Sequence, residues 1–277
     1  MREAPPARPA VAEPPTSLRR IKLTIEYDGT AFYGWQVQAR TGERTIQGVI
    51  EAALADIPGA RPRLMAAGRT DAGVHALAMV AHYDTSDSIP VTRVARAINA
   101  RLPADVRVLL AEEVSLDFES QFGCRYRRYL YRMRRSRDDL RTTALERNRL
   151  LFLPQELDTA AMQDAARHFE GRKDFAALAT QETRGTVRTV YQCRLDVAER
   201  DLRLHIAADG FLRNMVRAVV GTLLWVGEGK LEPADIETIL AARDRRKAGP
   251  NVPPHGLYFA EAAYVPWRPG KAPGARP

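Results

Sequence analysis

The chain has 277 residues, 45% of them hydrophobic, and a formal net charge of +8 at pH 7. That length allows a sizeable core and two domains or fused halves, and no apolar run approaches a membrane span. The two cysteines, Cys124 and Cys193, have no Cys-x-x-Cys spacing and no histidine at ligand distance, which argues against a disulfide framework or a metal site and favours reduced thiols in a cytoplasmic setting.

Residues 1–17 are rich in alanine and proline, lack an apolar signal segment and read as a disordered arm. Ile21 to Tyr27 alternates as a half-buried strand that ends at Asp28-Gly29-Thr30. Ile46, Val49, Ile50, Ala53, Leu54 and Ile57 recur at helical spacing, with Thr45 as N-cap and Pro58-Gly59 as the stop. A loop around Asp71 leads into a strand over Leu77 to Tyr83. A second helix carries Val91, Val94, Ala95, Ile98 and Leu102, and Val106 to Val114 forms a further strand. Residues 18–115 thus make an N-terminal α/β half.

The C-terminal half, 116–268, opens with Phe122, Cys124 and Tyr126 on one parity and Tyr129, Tyr131 and Met133 on the other, which predicts a β-bulge at Arg127-Arg128. An arginine-rich loop follows to about Leu150. Asp158 caps a helix that turns Met162, Ala165, Ala166 and Phe169 inward, and Val187 to Ala208 reads as a hairpin. Asp209-Gly210-Phe211 opens a helix with Met215, Val216, Val219, Val220, Leu223 and Leu224 on one face. Pro233 begins a last helix, Leu257 to Val265 a closing strand, and 269–277 a flexible tail. Each half carries an Asp-Gly turn before an aromatic and a long helix, and later a His-containing Gly loop before a strand. The pattern is that of an α+β protein with two similar, RRM-like or ferredoxin-like halves around a continuous, mainly antiparallel sheet. Helices lie on one side and a cleft separates the halves.

Four features could carry chemistry. Segment 125–149 holds ten arginines against three acids, an excess that nearly equals that of the whole chain. Guanidinium groups bond phosphate oxygens in pairs, so this stripe favours a nucleic-acid partner over a merely solvated or ion-paired face. Tyr126, flanked by Arg125, Arg127 and Arg128, could stack on a base or equally fill a core. Arg213 and Arg217 lie on one face near the start of the Phe211 helix, where cations oppose the macrodipole and call for an anion, either a phosphate or Asp71. Asp71 itself sits in Gly68-Arg69-Thr70-Asp71-Ala72-Gly73-Val74-His75, whose two glycines allow tight turns and close ligand approach. In isolation it reads as an Asx turn. A single such carboxylate does not suit an ordinary glycosidase, which uses a pair, or a metal nuclease, which gathers several acids.

Together with Tyr27-Asp28-Gly29-Thr30, Phe32-Tyr33-Gly34-Trp35-Gln36, Thr45-Ile46-Gln47-Gly48, Arg125-Tyr126, Asp209-Gly210-Phe211-Leu212-Arg213-Asn214-Met215-Val216-Arg217 and Pro253-Pro254-His255-Gly256-Leu257, that loop resembles the tRNA pseudouridine synthase A family from about Ile21 to Val265. The resemblance implies isomerisation of uridines 38, 39 and 40 in the tRNA anticodon arm, with no cofactor and no metal, by a homodimer with RNA across both subunits. It implies that Asp71 is the essential aspartate, that Tyr126 packs on the target base, and that Arg69 helps displace the nucleotide. It further implies that Arg217 pairs with the catalytic carboxylate and that Leu257 walls the pocket. Arg128 stands where relatives often carry another aromatic, and Val252 where a small alanine is usual. A non-catalytic RNA-binding protein of two RRM-like halves would account for the charge but not for an intact Asp71 loop, and the RRM aromatic signature is absent.

Overall fold

The computed structural model describes residues 18–38, 42–136, 144–180 and 185–268. The Ala/Pro arm, the tail from 269, and Arg137, Asp138, Asp139 and Arg141 of the arginine-rich segment lie outside the described residues. Among those described, ten strands form one sheet: β1 (Arg19–Tyr27), β2 (Met65–Ala66), β3 (His75–Thr85), β4 (Val106–Val114), β5 (Tyr126–Arg135), β6 (Leu151–Leu153), β7 (Gly171–Asp174), β8 (Val187–Ala198), β9 (Asp201–Ala208) and β10 (Leu257–Ala263). Their order is β4-β1-β3-β10-β5-β9-β8-β7, with β2 on β3 and β6 on β5. All pairings are antiparallel except β3 with β10 and β5 with β6. Five α-helices among the described residues complete an α+β architecture: α1 (Ile46–Ala55), α2 (Val91–Asn99), α3 (Thr159–Arg167), α4 (Met215–Gly227) and α5 (Asp235–Ala242).

Strict alternation along the strands creates one apolar face across the sheet. Ile21, Leu23 and Ile25 of β1 lie opposite Tyr83, Ala81 and Met79 of β3. Across the other half, Tyr129, Tyr131 and Met133 of β5 face Ile206, Leu204 and Leu202 of β9. Leu257 and Phe259 of β10 join the two runs. Most of these side chains are fully buried, and each Leu or Ile so buried contributes about 1.5–3 kcal/mol, which makes this face the main driving force of the fold. The pair α1 and α2 buries Ile46, Ile50, Val94 and Ile98 toward the N-terminal strands, and α3 and α4 bury Met162, Ala165, Val219 and Val220 toward the C-terminal ones. Helix starts follow the expected chemistry: Thr45 Oγ1 accepts from the Gly48 amide at 3.2 Å, and Asp158 Oδ1 from that of Ala161 at 2.9 Å. The short strands β2, β6 and β7 have no sequence counterpart above, being too brief for a period to show.

Three expectations are corrected. The register of β5 on β9 is unbroken from Arg127 to Arg134, so β5 has no bulge at Arg127-Arg128; the irregularity falls on β10, between Phe259 and Glu261. The parity change is instead a real division of faces: Tyr126 and Arg128 point to one side, Arg127, Tyr129, Tyr131 and Met133 to the other. The expected arginine-rich loop starts two residues later than read from the sequence, since β5 continues through Arg134 to Arg135. Finally, α4 begins at Met215 rather than near Phe211. Arg213 therefore precedes the helix, and Arg217 belongs to its first turn.

Candidate functional site

Between the two helix pairs the central strands are left uncovered, and a cleft of about 1550 Å³ opens there. The 63–74 segment and Tyr33 to Gln38 contribute one side, residues 209–217 the other, with Tyr129 and Leu257 from the sheet. Asp71, Arg69, Arg213, Arg217 and Leu257 all line it, so five of the sequence candidates converge.

The Asp71 loop is fixed from beneath. Tyr27 Oη and Thr70 Oγ1 lie 2.8 Å apart in the core, and the Thr70 carbonyl accepts from the Trp35 amide at 3.0 Å. Gly34, at φ +89°, passes so close that a Cβ there would stand 2.7 Å from the Thr70 oxygen. The Asp71 carbonyl takes the Val74 amide at 3.2 Å, closing the turn. His75 then anchors the exit: its Nδ1 accepts from the Gly29 amide at 3.1 Å, so the proton sits on Nε2, which faces the carbonyls of Asn148 and His255 at 2.8 and 3.1 Å. Burial holds this imidazole below its ordinary range, in keeping with a neutral structural role.

With its backbone so held, the Asp71 carboxylate remains 41% exposed and lies 3.6 Å from an Arg217 amino nitrogen. Arg217 is itself pinned: Nε donates to the Val252 carbonyl at 2.7 Å and Nη1 to Asn214 Oδ1 at 3.0 Å. Asn214 occupies the N-cap position in the left-handed region, φ +62°, and its side chain caps no amide; it holds the arginine instead. An ion pair this long and this wet stabilises the fold by about 1 kcal/mol or less. Its consequence is orientation: a cation at a helix N-terminus, disfavoured by the macrodipole, is directed at one carboxylate. The other lining carboxylate, Asp209, is occupied, its Oδ1 accepting the Thr189 amide at 3.0 Å.

Tyr126 does not reach the cleft. It lies on the opposite sheet face, 2% exposed, its hydroxyl 3.2 Å from Glu261 and its ring edge-on to Trp267 at 5.0 Å. The tyrosine that lines the cleft is Tyr129, wedged edge-on between Phe211 and Phe259 at 4.9 and 5.2 Å. Burial and the nearby Asp71 charge push its hydroxyl well above the usual phenol range, so it stays protonated. Arg125 is exposed and is not among the residues that line the cleft.

The arginine stripe is largely spent on the protein itself. Arg127 donates to the carbonyls of Ala67, Gln121 and Asp209 at 2.9, 2.6 and 2.9 Å, tying β5 to both walls. Arg128 is buried 3.3 Å from Glu261, Arg134 pairs with Asp201 and Glu146, and Arg149 with Asp28. The exposed cations on the cleft are others: Arg63, Arg69 and Arg213. No group of three or more potential metal ligands occurs among the described residues, and no helix among them is long and apolar enough to cross a membrane.

The family model for tRNA pseudouridine synthase matches residues 23–123 and 165–265, which contain the Asp71 loop and the Asn214–Arg217 wall respectively. A tRNA pseudouridine synthase A of Thermus thermophilus is 47% identical over 251 residues, covering 89% of this chain and 97% of that protein. Proteins of the same name from Caldicellulosiruptor bescii and Geobacillus kaustophilus are 41% and 40% identical, each over 89% of this chain, and 100% and 95% of their own lengths are covered. The two blocks that the family model matches are the two that face each other across the cleft, and the chain belongs to the tRNA pseudouridine synthase family.

Proposed function

We propose that the protein isomerises uridine to pseudouridine in the anticodon stem-loop of tRNA, at positions 38, 39 and 40, without a cofactor and in the cytoplasm. The observation that carries this reading is Asp71: an accessible carboxylate on a rigid loop, aimed at by Arg217, beside a protonated Tyr129 in a cleft with exposed arginines on its lining. A stacked uridine must first leave its stem, which costs a few kcal/mol. Arg69, exposed on the lining, fills the vacated space and meets the phosphates. The base then lies between Tyr129 and Leu257. Asp71 starts the reaction either by bonding C1′ or by taking a ribose proton to leave a glycal. Either route breaks the N1–C1′ bond; the uracil turns and its C5 bonds C1′ as Asp71 leaves C1′ or the glycal regains its ribose proton. C5 then loses its proton while N1 gains one, so nothing is added and no electrons are exchanged. Tyr129 takes the part that the sequence resemblance implies for Tyr126. With that shift of three residues, Tyr131 falls where the second aromatic is expected, and the departure at Arg128 disappears. The same reading includes a homodimer with tRNA lying across both subunits, which sedimentation of the complex would test.

Asp71→Asn should lower pseudouridine formation on an unmodified tRNA transcript by about 10⁴-fold or more while tRNA binding is largely kept. Undiminished product from that variant would remove Asp71 from the chemistry. Tight tRNA binding by the wild type with no pseudouridine made would favour a binding module instead.

A further inference from the structure

Two aromatic rings stand out in water. Phe122 is 79% exposed and Tyr33 56%, and every other strongly exposed large apolar side chain among the described residues is aliphatic. Both rings line the same cleft. Neither is a loose end of a mobile loop. Phe122 rides on a turn whose neighbours are tied down: Ser120, fully buried, donates to the Met65 carbonyl at 2.7 Å, the Gln121 carbonyl takes Arg127 at 2.6 Å, and the Gly123 amide reaches the Glu119 carbonyl at 3.0 Å. Tyr33 lies between buried Phe32 and Gly34, its amide bonded to the Arg44 carbonyl at 3.0 Å, and the following Trp35 amide is bonded to the Asp71 loop. A rigid backbone that holds a ring out of the core forgoes its burial energy, which points to a ligand surface rather than to packing.

We propose that Tyr33 and Phe122 form a pair of stacking platforms for nucleotide bases that flank the flipped uridine. The chemistry is that of single-stranded or unstacked RNA: every base offers a π-face, and exposed arginines in the same lining, Arg63 and Arg69, match the backbone phosphates. Glutamine amides at positions 36 and 38 in the same wall supply base-edge contacts. Tyr33 and Phe122 line the same cleft as Asp71, so an RNA strand entering it meets both rings.

This inference rests on the proposed activity, and the test separates the two. Tyr33→Ala, Phe122→Ala, the double variant and Phe122→Leu would be assayed for KM and kcat on an unmodified tRNA transcript, and for binding to it by anisotropy across a salt series. Stacking is worth about 1–3 kcal/mol per base, which converts to a rise of about 5- to 150-fold in KM and Kd for each alanine change. Because no phosphate contact is lost, the slope of log Kd against log salt stays at the wild-type value, whereas Arg63→Ala flattens it. Phe122→Leu keeps apolar bulk but not the ring, and its KM should rise like that of the alanine variant. Unchanged KM and Kd in the double variant, or full function in Phe122→Leu, would overturn the platforms. If the wild type makes no pseudouridine, the proposed activity fails, and the anisotropy arm alone decides whether the rings bind RNA.

Discussion

Gly34→Ala addresses the rigidity of the Asp71 loop directly. At φ +89° any L-residue is strained, at a cost of about 1–2 kcal/mol. The added Cβ would also stand 2.7 Å from the Thr70 carbonyl oxygen, where ordinary contact needs 3.4 Å or more, so the two must part by about 0.7 Å. That oxygen belongs to the residue before Asp71, and both flanking strands are fixed, so the loop is what moves. A displacement near 1 Å of a reacting group can cost about 100-fold in rate. Gly229→Ala is the matched control: its φ is +70°, with nothing within 4 Å of the new Cβ. Both variants should lose about 3–6 °C in Tm through the φ penalty. Only Gly34→Ala should also lose kcat, by about 10- to 100-fold, measured as tritium release from tRNA labelled at uridine C5. A Gly34→Ala enzyme with wild-type kcat would show that the loop tolerates displacement and that backbone placement of Asp71 is not limiting.

Two further outcomes are expected. Tyr126→Phe should leave kcat within about twofold, losing only a hydroxyl that faces Glu261, whereas Tyr129→Leu should lower kcat; the reverse result in the same assay would restore the sequence-based assignment. Stability should fall as pH drops through about 6.5, because burial holds His75, His82, His205 and His255 below their ordinary range and the unfolded chain then binds the extra protons. Asp84 and Asp201, held low by hydrogen bonds from Arg20 and Arg134, add their loss only below about pH 4. A Tm that stays constant from pH 7.5 to 5.5 in calorimetry would contradict the histidine argument.

Much of this was legible in residue order because local chemistry and tertiary role agree. The caps at Thr45 and Asp158, the inward faces of α1 and α3, and the tight Asp71 turn all follow from short-range rules. What failed were questions of facing and pairing. Tyr126 and Tyr129 are both buried aromatics on one strand, and only the stacking of helices on one sheet face decides which of them meets the cleft. The excess of charge in 125–149 is real, but beside the local Glu146 its counterions come from far along the chain, Asp28, Asp201 and Glu261, which no local count can see. Helix α4 starts late because Asn214 takes a left-handed conformation, a choice that composition alone does not force.

Strand β10 has a consequence for how the molecule comes into being. It is the segment that joins β3 to β5, which do not pair with each other. Until residues 257–263 have left the ribosome, the sheet exists only as two separate blocks, β4-β1-β3 and β5-β9-β8-β7. Leu257 and the carbonyl of Val252 that holds Arg217 arrive with the same late segment. The cleft is therefore complete only once residues 252–263 have been made, and a nascent chain that lacks them cannot close on RNA.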